Sequence, residues 1–399
     1  MLRFLTSGES HGPQLTAIID GFPAGFKVDI KKINSELARR QKGFGRGGRM
    51  KIENDKVDIV SGLRGGVTLG SPVTLVIVNK DWTNWRNVMH PTQPVSGKLS
   101  AREQELAGEI TGPRPGHADL PGAIKFAHRD IRNVLERASA RETAARTAVG
   151  ALARQFLEHF NVQIVSQVTR IGDVVMPGIS YPENLEVWRE RVEKSLVRCP
   201  DSKIGAKMIE AIKAAKKAKD SLGGVVEVIT RGLPVGLGSY TQWDLRMDSR
   251  LAAAFMSIPS VKGVEIGLGF KAAEKRGSQV HDEIEFLEKV RPASKDFVRK
   301  SNNAGGIEGG ISNGEDIIVR AAVKPVSTLY RPLNTVDTVT RKTVKARIER
   351  ADTCVVPAVA VIGEAVAAVV FMDTFLDKFG HDNMAEIEAN YQGFLARGL

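Results

Sequence analysis

Cysteine is almost missing from this sequence: Cys199 and Cys354 are the two in a chain of 399 residues. Two distant cysteines match neither a disulfide framework nor a zinc-ligand pattern, which points to a reducing compartment and no bound metal. Aromatic residues make up only 6% of the chain, a thin supply for stacking on unpaired bases. A long clean apolar run is lacking too. The most apolar window, about Val355 to Met372, is interrupted by Pro357, Gly363 and Glu364. It reads as a buried helix rather than the roughly 20 apolar residues of a membrane span. Met1–Thr6 has no apolar stretch of the signal-peptide kind, so the expected location is cytoplasmic.

Positive charge is what the chain has in excess. Lys and Arg number 57 against 46 Asp and Glu, a formal net charge of +11. Such a balance fits nucleic acid, an anionic membrane or an acidic small substrate. Several cations sit beside glycines, which favours the third. The densest case is Arg39-Arg40-Gln41-Lys42-Gly43-Phe44-Gly45-Arg46-Gly47-Gly48-Arg49. Glycine lets backbone N–H groups approach an anion, and arginine offers a planar fork of donors. The segment reads as a cradle for a small, multiply charged anion, against a solvated basic loop or a nucleic-acid patch.

The patterning mixes strands and helices without strict alternation. Leu2–Leu5, Leu15–Ile19, Val57–Val60, Val73–Val78, Val162–Thr169, Gly224–Ile229, Val264–Ile266 and Ile317–Ala322 read as strands. Helical spacing marks Asp29–Arg40 with Asp29 as N-cap, Val134–Phe160, two segments within 183–219, Ser249–Met256 and Val359–Phe379. Residues 107–122 read as an irregular loop, and 271–310 as a polar, flexible, lid-like region. An α+β, layered architecture follows. No fixed repeat and no clear linker is visible, so one large domain over 1–399 is expected. The lysines of 203–219 read as a solvated helix face.

Five segments carry chemistry. Gly8-Glu9-Ser10-His11-Gly12 puts an imidazole in a turn after a strand, and an ordinary imidazole pKa of about 6.5 suits proton donation at neutral pH. Gly112-Pro113-Arg114-Pro115-Gly116-His117-Ala118-Asp119 is a stiff loop able to place a second imidazole. Glu136-Arg137-Ala138-Ser139-Ala140-Arg141-Glu142-Thr143 sets Arg137 and Arg141 four apart. It reads as an anion site or as ordinary Glu/Arg pairing. A glycine-rich run, 305–314, precedes Lys324-Pro325-Val326-Ser327-Thr328, a cation with two hydroxyls. Arg350-Ala351-Asp352-Thr353-Cys354 offers a carboxylate beside an arginine, a base or a structural ion pair.

Together and in this order the segments resemble the chorismate synthase family over nearly the whole chain. Gly8–Pro23 is similar to its N-terminal signature, Arg137–Arg141 to its central one and Arg350–Glu364 to its C-terminal one. The last departs from the family at Ala351 and Thr353 while keeping Arg350 and Asp352.

The resemblance implies a β-α-β sandwich in one domain, assembled as a homotetramer. It implies 1,4-anti elimination of phosphate from 5-enolpyruvylshikimate 3-phosphate, giving chorismate, with reduced FMN as cofactor. His11 would be the acid toward the leaving phosphate, His117 would protonate or hold the flavin near N1, and Asp352 would assist loss of the C6 proton. Ser10, Arg40, Arg46, Arg49, Arg114, Ser139, Arg141 and Arg350 would bind substrate. Arg137, Ala138, Ser139, Pro259, Ser260, Gly309, Lys324, Pro325, Val326, Ser327, Thr328 and Arg350 would bind FMN. The alternative adds an NADPH-dependent flavin reductase activity, with Arg40 and Arg46 touching the nucleotide, although no Gly-x-Gly-x-x-Gly opening is present.

Overall fold

A computed structural model describes residues 1–48, 52–95, 99–178, 181–182, 184–288, 296–349 and 351–397. The chain opens with an antiparallel hairpin, β1 (Arg3–Ser7) and β2 (Gln14–Asp20), paired from Arg3–Asp20 to Ser7–Thr16. In β2 the period of two buries Leu15, Ala17 and Ile19 and turns Thr16 and Ile18 outward. Helix α1 (Ile30–Gln41) follows, and the Asp29 side chain caps it by accepting from Lys31 N. Then come β3 (Asp58–Ser61), the small hairpin β4 (Leu63–Arg64) and β5 (Val67–Thr68), and β6 (Val73–Val78). The first sheet has the order β1-β2-β6-β3.

Helices α2 (Ala101–Ala107), α3 (Asp119–Phe126), α4 (Arg132–Leu135) and α5 (Thr143–His159) come next. Residues 108–118 are the irregular loop expected, between α2, which a Ser100/Glu103 capping box starts, and α3, which begins at Asp119. One expectation is corrected here. The helix expected over Val134–Phe160 is broken between α4 and α5. Ser139 sits in extended backbone, its hydroxyl accepts from Arg141 N, and Ala140–Glu142 forms a 3-10 turn. A serine that caps competes with continuing the helix, and that break exposes the Arg137–Arg141 segment.

The second half contributes β7 (Gln163–Ile171), β8 (Val174–Val175), α6 (Leu185–Glu193), α7 (Ser202–Lys217), β9 (Gly224–Arg231), α8 (Met247–Met256) and β10 (Val261–Ile266). Within the span 271–310, residues 289–295 lie outside those described. The rest carries 3-10 turns, the hairpin β11 (Ile284–Phe286) with β12 (Phe297–Arg299), and the tight pair β13 (Ile307–Glu308) and β14 (Ile311–Ser312). Strands β15 (Ile317–Val323), β16 (Asn334–Val336) and β17 (Thr343–Lys345) precede α9 (Val356–Phe379). A further helix, α10 (Met384–Ala396), was not foreseen. The second sheet runs β10-β15-β9-β7-β8, antiparallel throughout.

Between the sheets lies a helical layer. Helix α5 packs on β2 and β6, α9 on β7 and β9, and the two helices pack on each other. This is the layered sandwich expected. Gly150 of α5 is where they cross: a Cβ there would lie 2.4 Å from the Ala365 backbone, so no larger residue fits. Helix α9 is long and apolar enough to span a membrane by length and composition, but 83% of its most apolar window is buried inside the molecule.

A buried charge, Glu364, interrupts the apolar stretch of that helix. Glu364 accepts from Arg39 (2.7 and 2.9 Å), from Arg154 (2.6 Å) and from the Ser166 hydroxyl and N–H. Burial pushes its carboxyl up, but Arg39 and Arg154 outweigh that and hold it well below the usual range. This knot fixes the end of α1, so that Arg39 faces the core while Arg40 faces the first sheet and α5.

Candidate active site

Two groups of side chains meet where the β1–β2 turn, the α4–α5 break and the Arg/Gly segment converge, and a third is built on the Pro-Gly loop. The first is cationic. Arg40, only 3% exposed, donates to Thr143 Oγ1 (3.0 Å) and the Ala140 carbonyl (3.1 Å) and lies 3.4 Å from Asp55. Arg141 donates to Asp55 (2.6 Å) and Asn79 Oδ1 (3.0 Å); its buried second Nη makes no hydrogen bond and lies 3.6 Å from Glu53. Arg46 pairs with Asp352 at 3.1 Å, and Gly47 N–H donates to the other oxygen of that carboxylate. Burial pushes the Arg40 guanidinium down to about 9; Asp55 opposes this, while Arg141 and Arg46 add to it. Three arginines are thus gathered here against the carboxylates of Asp55, Glu53 and Asp352.

The second group surrounds the β1–β2 turn. Asn79 binds the first group to it, donating to the carbonyls of Glu9 (3.1 Å) and Gly12 (2.8 Å). Ser10 is buried. The His11 ring stacks on Trp85 at 4.1 Å and 22°. Its Nδ1 lies 2.8 Å and 3.0 Å from the carboxylate oxygens of Glu136. Arg137 donates to Gly8 O (3.1 Å) and to Thr6 (2.8 Å), so it docks the break between the helices onto β1. Ala138 and Ser139 occupy that break.

The third group is built on the Pro-Gly loop. Asp119 accepts from Arg114 N (3.0 Å), Nε (2.8 Å) and Nη2 (3.1 Å), and it bonds His117 Nδ1. Burial pushes the Asp119 carboxyl up, yet the bonds from His117 and Arg114 hold it well below the ordinary range. Arg114 also donates to Thr328 Oγ1 (3.2 Å), and Lys324 Nζ donates to Gly116 O. Gly116 has φ +77, where a side chain would be strained, and its missing Cβ leaves 3.7 Å to Ser327. Lys324 N donates to Ser260 O (2.8 Å), which places Pro259 and Ser260 beside the loop. Ser221 Oγ holds Val326 O at 2.8 Å, and Pro325 packs at Gly223.

Not every residue singled out joins these groups. Arg49 and Arg350 lie outside the described residues. Gly309 sits between β13 and β14, near the Ile317 end of β15, whereas Lys324 follows its Val323 end. At strand rise that is about 20 Å within one chain. Arg246 donates to the Gly309 carbonyl (3.1 Å), and a Cβ at Gly309 would meet nothing within 4 Å among the described residues. Other residues were missed: Asp55, Asn79 and Trp85 come from segments with no motif, and Glu136 looked like an ordinary helix charge. Only tertiary contact reveals them.

The comparisons with known proteins agree with this geometry. The family model described as chorismate synthase matches residues 2–376. Chorismate synthase of Geobacter sulfurreducens is 54% identical over 398 residues, covering 99% of this chain and 98% of that one. Those of Alkaliphilus metalliredigens and Bacillus pumilus are 52% and 50% identical, each over at least 98% of both chains. A crystal structure of chorismate synthase superposes with a TM-score of 0.78 at 42% identity, over 99% of this chain and 97% of that one. The chain belongs to the chorismate synthase family and is a lyase.

Proposed function

We propose that the chain converts 5-enolpyruvylshikimate 3-phosphate to chorismate by 1,4-anti elimination, with reduced FMN bound beside the substrate. The observation that carries this reading is the gathering of Arg40, Arg46 and Arg141, linked through Asn79 to the turn bearing His11. A substrate with a phosphate and two carboxylates suits a site lined by several arginines. Breaking its C3–O bond sends the electron pair out with phosphate. His11 donates a proton to that leaving oxygen, and Asp352 assists departure of the C6 hydrogen.

The donors around the Pro-Gly loop suit a flavin mononucleotide. Lys324 offers an ammonium and Ser327 and Thr328 offer hydroxyls, all beside Gly116 and His117, a set that matches a phosphate tail next to a ring. When bound, reduced FMN lends electron density for C–O cleavage and recovers it. His117, tied to Asp119, holds a proton on the cofactor side. A contact from Gly309 fits best across a subunit boundary, given its distance from Lys324. The homotetramer reading has further support from apolar side chains left in solvent, among them Leu5, Trp243, Phe270 and Phe286. The burial of Arg40 opposes its use as an NADPH contact. A cytoplasmic location goes with this soluble substrate.

The test is anaerobic mixing with substrate and chemically reduced FMN, following phosphate and chorismate together. Equal formation of both, abolished with oxidised FMN, is expected. No product from folded, flavin-binding protein overturns the reading.

A further inference from the structure

Glu136 is 2% exposed, and both of its carboxylate oxygens face His11. One carboxylate oxygen accepts from the His11 backbone N–H at 2.8 Å. The other lies 2.8 Å from His11 Nδ1. Even the Glu136 backbone takes part, its carbonyl accepting from Ser10 N at 2.9 Å. On the ring's face, Trp85 stacks at 4.1 Å. Arg132 supplies the countercharge, 3.9 Å from the carboxylate and 5.3 Å from the Trp85 ring centroid.

We propose that Glu136 is the positioning residue for His11, fixing the proton on Nδ1 and presenting Nε2 to the leaving group. This rests on the reading of His11 as the acid. An ionised carboxylate only accepts hydrogen bonds, so a ring nitrogen facing it must carry a proton. Nδ1 is therefore the N–H atom in both the neutral and the cationic ring. Nε2 becomes the one nitrogen whose proton is gained and lost, which is what a donor to a phosphate oxygen requires. Trp85 removes rotation about the ring plane, and Glu136 removes the alternative tautomer.

The test follows from counting acceptors. In E136Q the backbone N–H of His11 keeps the amide oxygen. The amide nitrogen, a donor, then takes the place 2.8 Å from Nδ1, which disfavours a proton there and shifts the neutral ring toward Nε2–H. Nitrogen-15 NMR of protein labelled at histidine should report the Nδ1–H tautomer for His11 in the parent and the Nε2–H tautomer in E136Q, with H11A assigning the signal. E136Q should lose about 10²–10⁴-fold in kcat, the range for a disabled general acid. Its substrate KM should stay within about threefold, and far-ultraviolet circular dichroism should be unchanged.

An unchanged tautomer in E136Q overturns the proposal, as does parental kcat in E136Q when H11A is inactive. H11A with parental turnover overturns the acid role of His11 instead, and the tautomer measurement then still decides whether Glu136 orients the ring.

Discussion

Asp352 and Arg46 form an ion pair, Oδ2 to Nη1 at 3.1 Å, with Gly47 N–H on the other carboxylate oxygen. The pair fastens the Arg/Gly segment to the chain just before α9. It also separates two roles. Asp352→Asn keeps the shape and removes the base, so kcat should fall by about 10²–10⁴-fold with KM little changed. Arg46→Ala removes a charge-assisted contact to substrate and should act mainly on KM. Steady-state kinetics with reduced FMN distinguish the two. A D352N enzyme of parental kcat would reduce Asp352 to a tether.

The arginines gathered around Arg40 should make the free protein respond to a simple anion. Inorganic phosphate, at about 100 times its Kd, should stabilise by about 2.7 kcal/mol. For a chain of this size that is a rise of a few degrees in Tm. Sodium chloride at equal ionic strength is the control. In Arg46→Ala the rise should shrink by at least half. Equal shifts with phosphate and chloride would dismiss a specific anion pocket.

The low carboxyl pKa of Asp119 makes a stability prediction. The group binds its proton less readily folded than unfolded, so the unfolded chain takes up more protons as pH falls. Its contribution is complete above the ordinary aspartate range, about 3.9, and is lost as pH falls below it towards the folded value. Asp119→Asn should therefore be less stable than the parent at pH 7, with a gap that narrows by pH 3. Urea midpoints at both pH values measure this. A gap constant with pH would show that shape, not charge, is what Asp119 provides.

If one flavin touches both Gly309 and Lys324, as proposed, their separation ties flavin binding to assembly. Specific activity should fall on dilution below the dissociation constant of the oligomer, in step with mass measured by light scattering. Activity that stays constant in a protein shown to be monomeric would mean the site is whole within one chain.

Much of the site was legible because it is written in short, polar, glycine-bearing segments. His11, His117, Arg141 and Lys324 each stand in a run that no apolar pattern explains. The strands were legible from their period of two. The partners were not: Glu136, Asn79 and Asp55 act from positions where the local sequence reads as helix charge or loop. The helix break at Ser139 escaped because propensity favours helix on both sides, and one hydroxyl capping Arg141 N overrides it. Helix α10, with few strong apolar repeats, gave little periodic signal.

The knot of Arg39, Arg154 and Glu364 bears on how this chain can change over time. Losing the carboxylate alone would leave two buried guanidinium groups short of a shared countercharge, Arg39 keeping Glu36 and Glu193 and Arg154 keeping Glu36 and Glu158. Losing either arginine would leave the rest out of balance. Single-letter drift at these positions leads through a protein that scarcely folds, and the cost of one change depends on which others came first. The three residues should be inherited as a unit, altered together or left alone. Since Arg39 adjoins Arg40, the ancestry of the core and of the anion pocket is bound together at one helix end.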